Sequence, residues 1–238
     1  MSRWVPLESN PEVLNAWSTK AGLVPLARFE DVYGLDEALL AMVAQPVKAV
    51  VLLFPITPDG DTQRKREDEE IQTNGQPYLD PTILWIKQTI SNACGTMGLI
   101  HAIANSDVTL VPESPLAKFI DQCLDKTPEE RAKLLETTPL FADIHAQAAS
   151  SGQTAVPTSL DTNLHFTCFV AAPSGRGPGS EDLGMRIVEL DGRRAGPIDR
   201  GKCTNLLADA AKLIQKLYID GSFSVQFSVM ALGPAPSP

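Results

Sequence analysis

The chain is most informative between residues 88 and 105, which read Gln88-Thr-Ile-Ser-Asn-Ala-Cys94-Gly-Thr-Met-Gly-Leu-Ile-His-Ala-Ile-Ala-Asn105. Cys94 opens an apolar segment that predicts a helix, and a helix N-terminus presents unpaired N–H groups and a partial positive charge. Both features favour a thiolate, so we predict a lowered pKa and a raised nucleophilicity for Cys94. Gln88 lies six residues upstream and can direct a side-chain N–H at an oxygen bound beside the sulfur. With the Cys94 N–H it would provide two donors to an oxyanion.

Composition and charge exclude several classes of protein. The chain has 238 residues, of which 43% are hydrophobic, enough for a substantial core in one large or two small domains. No apolar run of about 18 residues predicts a transmembrane helix, and the N-terminus lacks the apolar segment of a secretory signal. The net charge of −9 disfavours binding to nucleic acid or to an anionic membrane, and it favours basic partners.

The four cysteines are spread along the chain without a CxxC pair, at Cys94, Cys123, Cys168 and Cys203. This spacing predicts neither disulfides nor a cysteine-rich zinc site, and it fits a reducing cytoplasm or nucleus. We expect no metal and no organic cofactor. Nothing in the pattern predicts a dimer interface, so we expect a monomer.

The hydrophobic pattern predicts alternating helices and strands without a clear domain break. Helices are predicted from Pro11 and from Cys94, and over residues 36–44, 115–124, 128–136 and 203–217. Strands are predicted over residues 49–54, 164–170, 185–191 and 222–232. Residues 59–70 include nine charged residues and no apolar face, which predicts a mobile surface loop. Residues 143–163 and 173–184 predict long connections, and residues 233–238 predict a disordered tail.

Two of the predicted strands bring a histidine and a carboxylate together. If residues 164–170 and 185–191 pair as a hairpin, His165 at the start of the first strand lies beside Asp191 at the end of the second. Asp191 would then accept the imidazole N–H and stabilise the imidazolium.

Of the three histidines, only His165 is placed to act as a base for Cys94. His101 lies two turns inside the Cys94 helix and cannot reach the helix tip, and His145 lies in a mobile connection where no rigid geometry is implied. The order cysteine, histidine, acid along the chain is the papain-like arrangement. Taken singly, a buried cysteine is usually a core residue and a histidine at a strand start a satisfied polar residue. The prediction therefore depends on the agreement of all the spacings.

The segment from Gln88 to Asn105 resembles the active-site segment of the ubiquitin C-terminal hydrolases, which are small papain-like deubiquitinases. The resemblance continues in order through residues 4–13, 29–34, 50–57, 164–166 and 189–193. Within the family, the chain is most similar to the short single-domain members.

The resemblance implies an α/β (α+β) fold of the papain type, with a mainly antiparallel central sheet flanked by helices and a knotted backbone. It implies one catalytic domain over residues 1–232, in which residues 143–163 form a crossover loop above the cleft. Such a loop would admit only small or disordered leaving groups. The loop at 173–184 is longer than in compact members and bears on access to the site.

The resemblance also assigns roles to four residues: Cys94 as nucleophile, His165 as general base and then acid, Asp191 as the orienting group, and Gln88 as oxyanion donor. The implied function is a deubiquitinating cysteine protease that cleaves adducts from the C-terminal glycine of ubiquitin through an acyl-enzyme. Two alternatives stay open. One is a ubiquitin-binding protein with a misaligned or inactive site, and the other is a hydrolase of a related modifier such as Nedd8.

Overall fold

The structure is a computed structural model, which describes residues 3–153, 160–175, 184–220, 222 and 224–236. Its strands are β1 Ala27–Asp31, β2 Ala49–Pro55, β3 Leu164–Pro173, β4 Met185–Leu190, β5 Ile198–Lys202 and β6 Ser228–Pro234. Its helices are α1 Pro11–Ala21, α2 Glu37–Leu40, α3 Pro58–Asn74, α4 Cys94–Ala104, α5 Pro115–Cys123, α6 Pro128–Glu136, α7 Pro139–Ala149 and α8 Leu206–Ile214, which continues as the π-helix Gln215–Ile219.

The six strands form one sheet in the order β1-β6-β2-β3-β4-β5, and each pair of neighbours is antiparallel. The apolar strand β2 lies at the centre, between β6 and β3, as expected for a strand buried on both faces. Its pairing with β3 runs from Ala49 opposite Val170 to Pro55 opposite Leu164. The predicted α+β fold with an antiparallel sheet flanked by helices is confirmed.

Side chains alternate between two hydrophobic clusters, one on each face of the sheet. Val51 and Phe166 belong to the larger cluster, which includes the buried residues of α1, α4, α5, α6 and α7. Val50 and Phe169 belong to the second cluster, which α8 covers. The predicted alternation along β3 is therefore confirmed, and α4 is anchored against the centre of the sheet.

The predicted surface loop at residues 59–70 is wrong, because these residues lie in the helix α3. Thr57 caps its start by accepting from the N–H of Gly60, Pro58 occupies its first turn, and Gly75 follows its end with a φ of 77°. None of its residues is buried. The helix is held instead by ion pairs with residues far along the chain, such as those of Glu67 with Arg194 and Arg200. Because these pairs replace apolar packing, the sequence of the helix shows no apolar periodicity.

Other predicted boundaries need correction. Helix α7 runs to Ala149, so the predicted connection 143–163 begins as a helix, and residues 154–159 lie outside the described residues. Strand β6 begins only at Ser228 and pairs as far as Pro234, so residues 233 and 234 are not a disordered tail. The second helix is a single turn over Glu37–Leu40, and α8 begins after the side-chain cap Asn205. Within the predicted loop 173–184, residues 176–183 lie outside the described residues.

Candidate active site

Cys94 is the first residue of α4 and is only 8% exposed. Burial raises the pKa of its thiol, and hydrogen bonds from the backbone N–H groups of Phe166 and Gly95 offset this effect only in part. The prediction of a lowered pKa for Cys94 is therefore wrong for the protein without substrate. The helix N-terminus is present as predicted, but desolvation of the thiolate has the larger effect.

His165 and Asp191 meet as the hairpin of β3 and β4 predicts. Cys168 pairs with Leu190 at the last residue of β4, and the chain beyond this pair carries Asp191 to His165. The distance from His165 Nε2 to Asp191 Oδ1 is 2.7 Å, and both side chains are buried. The N–H of Arg193 donates to the same carboxylate oxygen at 2.8 Å. The imidazole orientation is therefore fixed from one side.

Arg64 completes the surroundings of the carboxylate, and the sequence did not identify it. Its guanidinium forms an ion pair with Asp191 Oδ2 from helix α3 and lies 5.0 Å from the centre of the Phe54 ring. The same ring makes an edge contact with His165, with the ring centres 5.6 Å apart. Arg64 was missed because it falls in the segment predicted as a loop. The sequence Thr57-Pro58, typical of a helix start, was the available signal.

The charges around His165 favour its neutral form. Burial lowers the pKa of His165 well below its ordinary value, and the guanidinium groups of Arg64 and Arg193 lower it further. Because Nε2 donates its proton to Asp191, Nδ1 carries the lone pair that can accept another. At rest the site therefore holds a neutral thiol and a neutral imidazole.

Gln88 lies in a segment without regular secondary structure, which is bound to the residues that follow Asp191. Its backbone N–H donates to the carbonyl of Gly192, directly after Asp191, at 2.8 Å. A Cβ at Gly192 would lie 2.9 Å from the Gln88 Cβ, so only glycine allows this contact without displacement. The Gln88 side-chain amide donates to the carbonyl of Ile90 at 3.2 Å. Its other N–H is the one that an oxyanion would require.

Residues at the end of the segment 88–105 explain why this stretch is so informative. The Nε2 atom of His101 accepts from the backbone N–H of Ile86 at 3.0 Å. The Asn105 side chain accepts from the N–H of Leu84 at 2.7 Å and donates to its carbonyl at 2.9 Å. Helix α4 thus has Cys94 at its start and, further along, holds the segment 84–86 that leads to Gln88.

His145 is not in a mobile connection, so that prediction is wrong. It is buried on α7, where its Nδ1 accepts from the Thr96 hydroxyl at 2.9 Å and its Nε2 donates to the carbonyl of Val5 at 2.5 Å. Burial lowers its pKa to about 4. The same effect lowers the pKa of His101 to about 4. Both are structural histidines, and neither contacts the pair of His165 and Asp191.

A buried polar network surrounds Glu189, two residues before Asp191. Glu189 is fully buried, accepts from Thr167 at 3.3 Å and Tyr218 at 2.5 Å, and pairs with Arg200 at 2.6 Å. Burial opposes its ionisation, but the arginine charges prevail and hold the pKa of Glu189 at about 2. Arg200 also pairs with Glu67 of α3, so this network ties the helix of Arg64 to the sheet.

The part of the chain that the structure describes contains no group of three or more histidine, cysteine, aspartate or glutamate side chains arranged to hold a metal ion. Among the same residues, no helix has the length and apolar character needed to cross a bilayer.

Comparison with known proteins identifies the family. Residues 4–219 match the family model of ubiquitin carboxyl-terminal hydrolase, family 1. The chain is 40% identical to ubiquitin carboxyl-terminal hydrolase 3 of Arabidopsis thaliana over 235 residues, which cover 97% of this chain and 94% of that one. It is 37% identical to ubiquitin carboxyl-terminal hydrolase isozyme L1 of Rattus norvegicus, with 95% and 96% covered.

The fold is similar to that of the UCH37 catalytic domain of Trichinella spiralis, which was solved bound to ubiquitin vinyl methyl ester. The TM-score is 0.71 at 22% identity, with 98% of this chain and 96% of that chain covered. The resemblance seen in the sequence is thus confirmed over nearly the whole chain. The chain belongs to the ubiquitin carboxyl-terminal hydrolase family 1 and is, by that membership, a cysteine-type deubiquitinase.

Proposed function

We propose that the chain hydrolyses small or disordered adducts from the C-terminal glycine of ubiquitin through an acyl-enzyme on Cys94. His165 serves as general base and then acid, Asp191 orients it, and Gln88 stabilises the oxyanion. The observation that carries this proposal is the buried hydrogen bond of 2.7 Å between His165 Nε2 and Asp191 Oδ1. Phe166, the next residue on β3, bonds to the Cys94 sulfur through its backbone N–H.

The neutral thiol and imidazole define the first step. Nδ1 of His165 takes the proton from Cys94 as the sulfur attacks the carbonyl of the ubiquitin terminal glycine. The resulting imidazolium is stabilised by Asp191 and then protonates the leaving amine or thiol, which departs and leaves a thioester on Cys94. Water, deprotonated by His165, then releases ubiquitin and regenerates the thiol.

The carbonyl oxygen that becomes negatively charged during the attack requires hydrogen-bond donors directed at it. The N–H of Cys94 belongs to the first turn of α4 and has no partner within the helix. The Gln88 side chain is the second donor: one N–H of its amide bonds to the Ile90 carbonyl at 3.2 Å, which leaves the other N–H for the oxyanion. Loss of one such donor typically lowers turnover by about 100- to 1,000-fold.

The limit on leaving-group size rests on where the connection after α7 ends. This connection enters β3 at Leu164, one residue before His165, so its last residues lie beside the proposed cleft. An adduct must leave past this segment. Small or extended adducts can do so, whereas a folded protein would require the connection to move.

A fluorogenic C-terminal amide of ubiquitin tests the proposal directly. We expect turnover by the wild type and none by Cys94→Ala. Cys203→Ala is the matched control, because Cys203 is also 8% exposed but lies apart from the site. Asp191→Asn should lower turnover by orders of magnitude while ubiquitin binding persists.

Three outcomes would contradict the proposal or one of its assignments. Tight ubiquitin binding without turnover by the wild type would indicate a binding protein with an inactive site. A much higher kcat/KM for the equivalent Nedd8 substrate would indicate a different modifier. An unchanged rate in Asp191→Asn would show that another carboxylate orients His165.

We also propose that the protein works as a monomer in the cytoplasm or nucleus. All four cysteines have free thiols, and the proposed chemistry needs Cys94 reduced. Light scattering of the purified chain and fractionation of cells that produce it test these two statements. A stable dimer, or confinement to the secretory pathway, would contradict them.

A further inference from the structure

Asn92 makes contacts that the proposed mechanism does not use. Its backbone has a φ of 62°, in the left-handed region that non-glycine residues seldom adopt. The two N–H groups of its half-buried side chain donate to two carbonyls, that of Trp4 at 3.0 Å and that of Leu160 at 2.9 Å. These acceptors lie 88 and 68 residues away in the chain.

The position of Asn92 gives these bonds a consequence for the site. Asn92 is two residues before Cys94, and Leu160 is five residues before His165. One amide group therefore joins the segment that carries the nucleophile to the segment that carries the base. It also fixes the N-terminal segment at Trp4, whose own N–H donates to the carbonyl of the residue before Asn92 at 3.1 Å.

We infer that Asn92 is a positioning residue, which sets the placement of Cys94 relative to His165 and fastens the end of the connection that leads into β3. This inference rests on the proposed function. Asparagine suits the role because it tolerates the left-handed conformation and has two N–H donors on one nitrogen. Aspartate would oppose two carbonyl oxygens with a negative charge, and glycine would keep the backbone but remove both donors.

Without the amide, the two segments are free to separate by a fraction of an ångström or more. A misplacement of about 1 Å between reacting groups costs up to about 100-fold in rate. Because Asn92 is inferred to place the reacting groups and not to hold ubiquitin, the loss should appear mainly in kcat. We expect kcat to fall by roughly 10- to 100-fold and KM to change by less than about threefold.

The test compares Asn92→Gly and Asn92→Asp with wild type on the ubiquitin amide substrate. Arg3→Gln is the control, because Arg3 and Asp161 directly neighbour Trp4 and Leu160, the two acceptors of Asn92, but pair with each other at an exposed site, where the pair is worth little. We expect both Asn92 variants to lose kcat and Arg3→Gln to stay within about twofold of wild type. Hydrogen exchange of residues 160–164 should be faster in both Asn92 variants.

Asn92→Gly is the decisive variant. If Asn92 served only to accommodate a left-handed turn, glycine would relieve strain and turnover would be unchanged or higher. That result, or an equal loss in Arg3→Gln, would overturn the inference while wild-type turnover left the proposed function intact. Failure of both Asn92 variants to fold would also overturn it, since Asn92 would then be required for the fold and not for the placement of the catalytic residues.

Discussion

Replacing Arg64 by glutamine is expected to destabilise the protein by about 3 kcal/mol. Arg64 is 17% exposed and pairs with Asp191, which is fully buried. Breaking a buried ion pair costs about 3–5 kcal/mol, because a charge is left without its partner. The lower end applies here, since Asp191 would keep its bonds from His165 and from the N–H of Arg193. For a chain of this size the melting temperature should fall by about 6–12 °C.

The same substitution should move the acid limb of the activity profile. Arg64 is one of two guanidinium groups that lower the pKa of His165, together with burial. Removing its positive charge stabilises the imidazolium, so the pKa of His165 rises toward its ordinary value. At a given pH below neutrality, less neutral imidazole is then available as base. The acid limb of kcat/KM with the ubiquitin amide substrate should therefore shift to higher pH.

Lys65→Gln provides the control for Arg64→Gln. Lys65 is the next residue on α3, is 72% exposed and pairs with Asp61 on the helix surface at 2.9 Å. Its removal should cost about 0.5 kcal/mol or less and leave the acid limb in place. Melting of Arg64→Gln within about 1 °C of wild type, with an unchanged acid limb, would refute the reasoning for Arg64.

Three further predictions concern burial and charge. The pKa of His101 and of His145 is about 4 in the folded chain, against an ordinary 6.5. Between these values the unfolded chain binds protons at both histidines and the folded chain does not. The free energy of unfolding, measured by urea titration, should thus fall between pH 6.5 and pH 4, by up to about 3 kcal/mol per histidine, and a flat profile would contradict this. The rate of alkylation of Cys94 by iodoacetamide, with Cys94→Ala as background, should rise continuously from about pH 6 to about pH 9. The reason is that the raised pKa of Cys94 leaves little thiolate at neutrality. A rate that is already constant at pH 6 would indicate a lowered pKa. Raising the salt concentration from about 0.1 M to about 1 M should increase hydrogen exchange in α3 more than in α4, since ion pairs hold α3 and apolar packing holds α4.

The parts of the site that sequence could supply are those set by local pattern. The apolar run after Cys94 predicts a buried helix, and the alternation after Leu164 predicts a strand with His165 and Phe166 on opposite faces. Given a hairpin, the turn at Asp191-Gly192 places the carboxylate beside the histidine. Each of these inferences needs only a few neighbouring residues and one periodicity.

The parts that sequence could not supply depend on distant partners. Helix α3 has no buried residue and is held by pairs such as Arg194 with Glu67, which are 127 residues apart. Its charges read as a solvated segment until their partners are known. The predicted lowering of the Cys94 pKa was wrong for a related reason. The helix N-terminus is visible in sequence, but the depth of burial that outweighs it is a property of the assembled fold.

The contacts of the site also indicate which side must adjust when substrate binds. Asp191 accepts from His165, Arg193 and Arg64 at its carboxylate, and from the Trp85 indole at its backbone carbonyl, at 3.0 Å. A residue with so many partners cannot move without losing several bonds together. The side of the proposed nucleophile is less constrained, since within the described residues the Gln88 side chain makes one hydrogen bond, to the Ile90 carbonyl at 3.2 Å. Adjustment should therefore fall on the loop between Gln88 and Cys94, which is where the amide of Asn92 limits it.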